Sequence, residues 1–265
     1  MATKLLLGYG GSASIESTQL LITGGSFDDS STISYLNMIK TPPSAIMTGR
    51  VQHAWGTKSY SGSLSFDVHD GAMALFASSG GLLERYYEFD VGINDGVTDW
   101  KMEDCKLTSL TLSGSVGGLI SSQVSFMSTK TKASGGTPHV FIRDTAVPMA
   151  YWYSGIGSGD DIRDWSLSMT QEVEPVYKNI DSTISGESPA YLKVGLVSYT
   201  LSVTSFKNLT PGAIIKVGGT TFTLTGNTAG KGFSFTGITD VGAYSYTFET
   251  SSDDGDSDTS VIVSS

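Results

Sequence analysis

The sequence predicts a mainly β chain made of two related antiparallel β-sandwich or barrel modules, at least one with a short flanking helix. Three observations carry that expectation. First, residues 59–68, SYSGSLSFDV, alternate. Tyr60, Leu64, Phe66 and Val68 share one face with Gly62, and Ser59, Ser61, Ser63, Ser65 and Asp67 share the other. Period-two alternation marks a strand with a dry face and a wet face. Second, the pattern recurs. Gly56, Ser59, Tyr60 and Ser63 reappear 139 positions on as Gly195, Ser198, Tyr199 and Ser202. There Val197, Tyr199, Leu201 and Val203 form the dry face, and Ser198, Thr200, Ser202 and Thr204 the wet one. Third, the chain holds 32 glycines, abundant Ser and Thr, and few long helix-forming runs. Many short strands joined by glycine turns follow from that composition. With 265 residues, two units of about 130 residues could each bury a core. The expected division is a first module over 1–130, a linker over 131–137 within a Lys/Ser/Gly stretch, and a second module over 138–265.

Taken in order, residues 9–12 read as a flexible opening and 19–27 as the first strand. Residues 28–48 form a long connection ending near Pro42-Pro43, a length that marks an interaction loop. Strand follows over 50–68. Residues 70–79, DGAMALFASS, predict a helix with Asp70 at its N-cap and a stop at Gly80-Gly81. Strands are expected over 86–93 and 100–106, then a hairpin of 107–114 with 120–127. In the second half, Trp165, Leu167 and Met169 alternate. Residues 171–188 make another long connection, with Tyr177 compared to Tyr35 and Pro189 to Pro43. No helix is expected there, since 208–219 reads as turn and strand. FTLTG at 222–226 resembles LTLSG at 110–114, and Tyr244, Tyr246 and Phe248 alternate as Val124 and Phe126 do.

The net charge of −10 and pI of about 4.6 argue against a protein that grips nucleic acid, which needs a cationic surface. They suit a surface to which nucleic acid must not stick. Cys105 is the single cysteine, so no intrachain disulfide or zinc spacing exists. The opening MATKLLLGYGG is too short for a secretory core, and no apolar run approaches the roughly 18 residues of a membrane helix. The expectation is a soluble protein made in cytoplasm without its own export signal. Glu84, Glu88, Asp90, Asp95, Asp99, Glu103 and Asp104 cluster in sequence, as the two carboxylates of a hydrolase would need to. They lie around glycine turns and sheet edges, where acids are solvated. Asp253, Asp254, Asp256 and Asp258 alternate around a glycine, but no Glu completes a calcium loop. His53, His69 and His139 are scattered, and no Ser sits in a nucleophile elbow. Tyr86-Tyr87 and Tyr151-Trp152-Tyr153 suit a core or subunit interface, or sugar stacking if exposed. No catalytic residue, metal or cofactor is expected.

The succession TQLLITGGSF, long loop, PPSAIMTGR, GTKSYSGSLSFDV, short helix and KLTSLTLSGSVGGLISSQVSF resembles a tail tube protein of a tailed bacteriophage. Its partial echo is DWSLSMTQEVEPVYKNI, SPAYLKVGLVSYTLSVTSF and TTFTLTG. The resemblance implies a structural virion protein whose rings stack around a channel for the genome. Its partners would be itself and other tail proteins (sheath, tape measure, terminator, baseplate), with DNA only in transit and no membrane. Two modules per chain imply a trimeric, pseudo-sixfold ring; the rival is a hexamer with the second half outside. Candidate contacts between subunits or rings are Tyr35, Met38, Pro42, Pro43, Tyr177 and Pro189. Candidate channel-lining residues are Ser61, Ser63, Ser65, Asp67, Ser198, Thr200 and Ser202. The alternative function is a carbohydrate-binding or adhesin β-sandwich on a virion or cell surface.

Overall fold

The computed structural model describes residues 11–37, 51–77, 79–94, 99–115, 117–134, 162–177, 188–206, 214–217, 220–224, 227–234, 243–252 and 261–264. In chain order the strands are β1 (Ser12–Ile15), β2 (Thr18–Asn37), β3 (Val51–Asp67), β4 (Glu88–Asn94), β5 (Asp99–Ser115), β6 (Ser121–Ser128), β7 (Lys130–Ser134), β8 (Ile162–Val176), β9 (Tyr191–Ser205), β10 (Ile214–Val217), β11 (Thr220–Leu224), β12 (Asn227–Ser234), β13 (Ala243–Ser252) and β14 (Val261–Ser264). One 3-10 helix, Asp70–Phe76, follows β3. The fold is mainly β and antiparallel.

Eleven strands share one sheet, and β10-β11-β14 form a small second one. The large sheet turns on β5. The first part of β5 pairs with β4 and β7, and the later part with β6 and β8. Pairing runs from β5 through β4, β1, β2, β3 and β6 back to β5, closing a six-stranded barrel. From the later part of β5 the sheet continues through β8, β9, β13 and β12. Where β5 changes partners, a bulge places Asp104 at φ 54. Such an extra residue bends a strand sharply enough to serve two walls.

The dry faces meet as the alternation predicts. Leu64, Val124, Leu110, Met169 and Tyr199 follow one another across β3, β6, β5, β8 and β9, all fully or almost fully buried. Ala72, Met73, Leu75 and Phe76 of the helix join the same core, as do Leu82 and Leu83 beyond it. Phe126 meets Phe27 and Phe89 edge-on, with ring centroids 6.2 and 6.0 Å apart.

Several expectations need correction. Residues 28–37 are strand, because β2 runs on to Asn37 in register with β3, down to Asn37 opposite Val51. Likewise β8 reaches Val176, opposite Tyr191, so 171–176 is strand. These polar stretches pair by backbone, which leaves no hydrophobic period to read. Residues 100–114 form one bulged strand. The helix is a seven-residue 3-10 turn capped by the backbone of His69, with Asp70 inside it. Short β1 lies where a flexible opening was expected to end. Residues 131–134 of the expected linker belong to β7, which pairs with β5. Phe222–Leu224, the described part of FTLTG, belong to the small sheet with β10 and β14 and do not stand where LTLSG stands.

Irregularities in register recur at fixed spacing. The β2–β3 ladder slips between Ile22 and Gly24, opposite Phe66 and Ser65, and between Ser31 and Ile33, opposite Lys58 and Trp55. The β8–β9 ladder slips between Ile162 and Asp164, opposite Ser205 and Thr204, and between Gln171 and Val173, opposite Val197 and Val194. First-strand positions differ by 140 and second-strand positions by 139. The β5–β6 slip at Leu107/Ser109, opposite Phe126 and Ser125, matches that of β12–β13 at Thr228/Gly230, opposite Phe248 and Thr247. Tyr60 faces Ser128 of β6, and Tyr199 faces Thr250 of β13. The orders β2-β3-β6-β5 and β8-β9-β13-β12 thus correspond bulge for bulge.

Gly62 is where this core admits no side chain. A Cβ there would lie 2.7 Å from Phe126 Cζ and 2.9 Å from Phe27 Cδ1, whereas Gly24 has nothing within 4 Å. Gly62→Ala is expected to lower stability by about 1–3 kcal/mol, and Gly24→Ala to be neutral or slightly stabilising. Urea midpoints at unchanged m-value check both.

Candidate functional site

The wet faces of successive strands fall into line. Ser26, Ser63, Ser125, Ser109, Thr170 and Ser198 are direct neighbours across β2, β3, β6, β5, β8 and β9. A second row runs Ser65, Gln123, Thr111, Ser168 and Thr200, and a third Asp67, Ser121, Ser113, Ser166 and Ser202. Paired antiparallel residues share a face, so the rows form one broad surface of hydroxyls. Several hydroxyls bond across strands: Ser26–Ser63 at 2.8 Å, Thr170–Ser198 at 2.6 Å and Ser113–Ser121 at 3.3 Å.

The three rows carry one charge, Asp67, and no Lys or Arg. Asp164 lies at one margin of the face, and the row next to Ser26 and Ser63 runs Asp28, Ser61, Met127 and Lys106, whose ammonium pairs with Glu88 at 3.3 Å. Arg163, bulged out at one end, pairs with Asp164 at 3.4 Å. The predicted residues Ser61, Ser63, Ser65, Asp67 and Thr200 are half-buried here, and Ser198 and Ser202 exposed.

Beyond the bulges at Ser31/Ile33 and Gln171/Val173, both hairpins continue as arms from the same end of the sheet. Their roots are tied together. Tyr177 donates its hydroxyl hydrogen to the Lys58 carbonyl at 2.7 Å, and the Tyr60 and Ser188 hydroxyls lie 2.9 Å apart. Arg85 donates two hydrogen bonds to the Gly195 carbonyl, at 2.8 and 3.2 Å, pinning the second bulge to the segment after the helix. Of the predicted contact residues, Tyr35 lies in the first arm opposite His53. Pro189 is buried at the root of the second. Met38, Pro42 and Pro43 fall outside the described residues. By the 140-residue spacing, Tyr177 corresponds to Asn37 and not to Tyr35.

The acids near β4 and β5 are engaged elsewhere. Lys101 reaches Asp90 at 2.6 Å and Glu103 at 3.4 Å, and Lys130 reaches Glu103 and Asp104, each at 3.2 Å. Lys130, and then Lys101, hold the Glu103 carboxyl below its ordinary range. Asp99 accepts a hydrogen bond from Asn94 at 2.6 Å, both buried. Asp95, the aspartates at 253–258 and the aromatics at 151–153 lie outside the described residues. Among the described residues no group of three His, Cys, Asp or Glu could hold a metal ion. Cys105 is buried, and desolvation raises its thiol pKa far above the ordinary value. No family model matches the chain, and no curated protein is significantly similar to it.

Sequence reasoning missed the rows as rows. Each strand's alternation was readable, but their alignment depends on register between strands far apart in the chain.

Tyr199 links the two halves beneath this surface. Its buried hydroxyl donates to the Leu83 carbonyl at 2.7 Å, and burial pushes its pKa up to about 12. The raised value stabilises the fold fully below the unfolded pKa near 10, and that contribution is lost as pH rises through about 12. Tyr199→Phe is expected to cost about 1–3 kcal/mol at neutral pH, and to flatten the stability loss between pH 10 and 12. Urea titrations across that range check both effects.

Proposed function

We propose that this chain is the repeating structural subunit of a phage tail tube, assembled in the host cytoplasm and resident in the virion tail. The observation that carries the reading is the broad hydroxyl face, whose three central rows hold Asp67 and no Lys or Arg, and whose next row holds Lys106 neutralised by Glu88. A conduit for a polyanion needs a hydrated wall to which phosphates do not adhere. Cationic groups would bind the backbone through counterion release, whereas hydroxyls and carboxylates offer no such hold. On this reading the protein is no enzyme and needs no cofactor.

We further infer that the chain carries two copies of one unit, β2-β3-β6-β5 and β8-β9-β13-β12. Three bulges recurring at matched positions support this, since bulges are retained features of a fold. The shared unit is a four-stranded block with its arm, smaller than the 130-residue modules that the sequence suggests. The segment after the helix ties both blocks together through Leu83 and Arg85.

The same registers bear on ring size. Followed straight across one block, the row that starts at Ser26 arrives at Thr170, the counterpart of position 30. The row therefore slips four residues per four strands. One residue of slip per strand spacing corresponds to a tilt of about 35°, at the lower bound of the range in which closed barrels lie. Three chains would supply twenty-four such strands, giving a bore of roughly 45 Å between backbones. Both blocks present the same face of one sheet, which favours three chains over six with the second half outside. The arms then reach along the tube axis to the neighbouring ring.

The glycan-binding alternative draws less support. The exposed aromatics among the described residues, Tyr86, Tyr191 and Phe206, do not form a stacking platform: Tyr191 begins β9 and Phe206 follows its far end, and Arg85 already stacks on the Tyr86 ring at 5.0 Å.

A charge-inverted face tests the conduit. In assembled particles, Gln123→Lys with Ser198→Lys and Ser202→Lys should leave assembly intact and make the tubes retain duplex DNA at low salt, with release as salt is raised. Wild-type tubes should let it pass. Equal DNA behaviour in both would contradict an inward-facing hydroxyl surface.

A further inference from the structure

The internal junction between the two blocks supplies a template for the junction between copies of the chain. This inference rests on the tube reading above. Inside the chain the first block ends at β5 and the second begins at β8. They join as Ser109↔Thr170, Leu110↔Met169, Thr111↔Ser168, Leu112↔Leu167 and Ser113↔Ser166. The bulges place β12 where β5 stands, with Gly230 at the position of Ser109. They place β2 where β8 stands, with Ser30 at the position of Thr170. In the succession β2-β3-β6-β5-β8-β9-β13-β12, β12 and the far part of β2 are the two ends.

We propose that β12 of one copy pairs antiparallel with β2 of the next in that same register: Gly230↔Ser30, Lys231↔Asp29, Gly232↔Asp28, Phe233↔Phe27 and Ser234↔Ser26. The partner is a second copy of this chain, joined head to tail, which closes rings and leaves no sheet edge bare. The residue types agree with the pairing without having been used to derive it. Lys231 falls opposite Asp29, an opposite-charge pair. Phe233 falls opposite Phe27, an aromatic pair. Ser234 falls opposite Ser26, which carries the hydroxyl row across the junction. Cross-strand pairs of these kinds each stabilise a ladder. The opposite arrangement, β12 against β12 by a two-fold axis, would set Lys231 near its own copy and would end assembly at a dimer.

Directly opposed residues have Cβ atoms about 4.5–5.5 Å apart, close enough for a disulfide with slight adjustment. The test uses the full chain with Cys105 retained, since that thiol is buried. Ser26→Cys with Ser234→Cys, oxidised after assembly, should yield covalent multimers up to the closed ring on a non-reducing gel. Ser26→Cys with Gly230→Cys, four residues out of register, should not. Crosslinking by Ser234→Cys alone would show β12 pairing with itself and overturn the proposal. Normal tubes with no crosslink from the in-register pair would overturn this register while leaving the tube reading in place. A wild-type chain that stays monomeric would overturn both.

Discussion

Hydrogen-bond register between neighbouring strands is the constraint on which the rest of this molecule depends. A slip of one residue anywhere in the wide sheet would carry Leu64, Leu110 or Leu167 to the wet face and bring serines into the core. The bulges act as register marks along each ladder. They fix where alternation restarts, and they fix where the arms leave the sheet. The hydroxyl surface is a product of the same constraint. The hydroxyl pairs Ser26–Ser63, Thr170–Ser198 and Ser113–Ser121 follow from it, since the backbone ladder sets their residues directly opposite one another.

β5 makes one sheet out of what would otherwise be a barrel and an appendage. Its bulge at Asp104 lets a single strand close the barrel in its first part and carry the sheet onward through β8 in its later part. The corner is held by backbone pairing and by the ion pairs of Lys101 and Lys130, which are partly or largely exposed and contribute little each. The stronger tie between the halves is apolar. Phe76, Leu82 and Leu83 lie in one core with Leu167, Tyr199 and Leu201.

Strands that carry a core were legible in the sequence, and strands without one were not. Residues 59–68 and 197–203 alternate because one side of each is buried among large apolar neighbours. The far part of β2 looks like a loop because Asp28, Asp29, Ser30, Ser31 and Thr32 supply no period, although the strand continues through them. β5 was divided between Lys106 and Leu107, beside the bulge at Leu107/Ser109 that interrupts alternation. The likeness of FTLTG to LTLSG was one of letters only. The strand that the proposed duplication matches to LTLSG by register, NTAGKGFS of β12, is rich in glycine and has no apolar period. Of the candidate surface, the individual serines were readable. Their assembly into rows was not, since it joins residues as distant in sequence as Ser26 and Ser198.

The mass of a single assembled ring tests the central claim most directly, because it depends on both blocks presenting one continuous face to a closed wall. The account predicts three chains of 27.9 kDa per ring, with pseudo-sixfold top views. Six chains per ring would contradict it, and so would a chain that remains monomeric at every concentration.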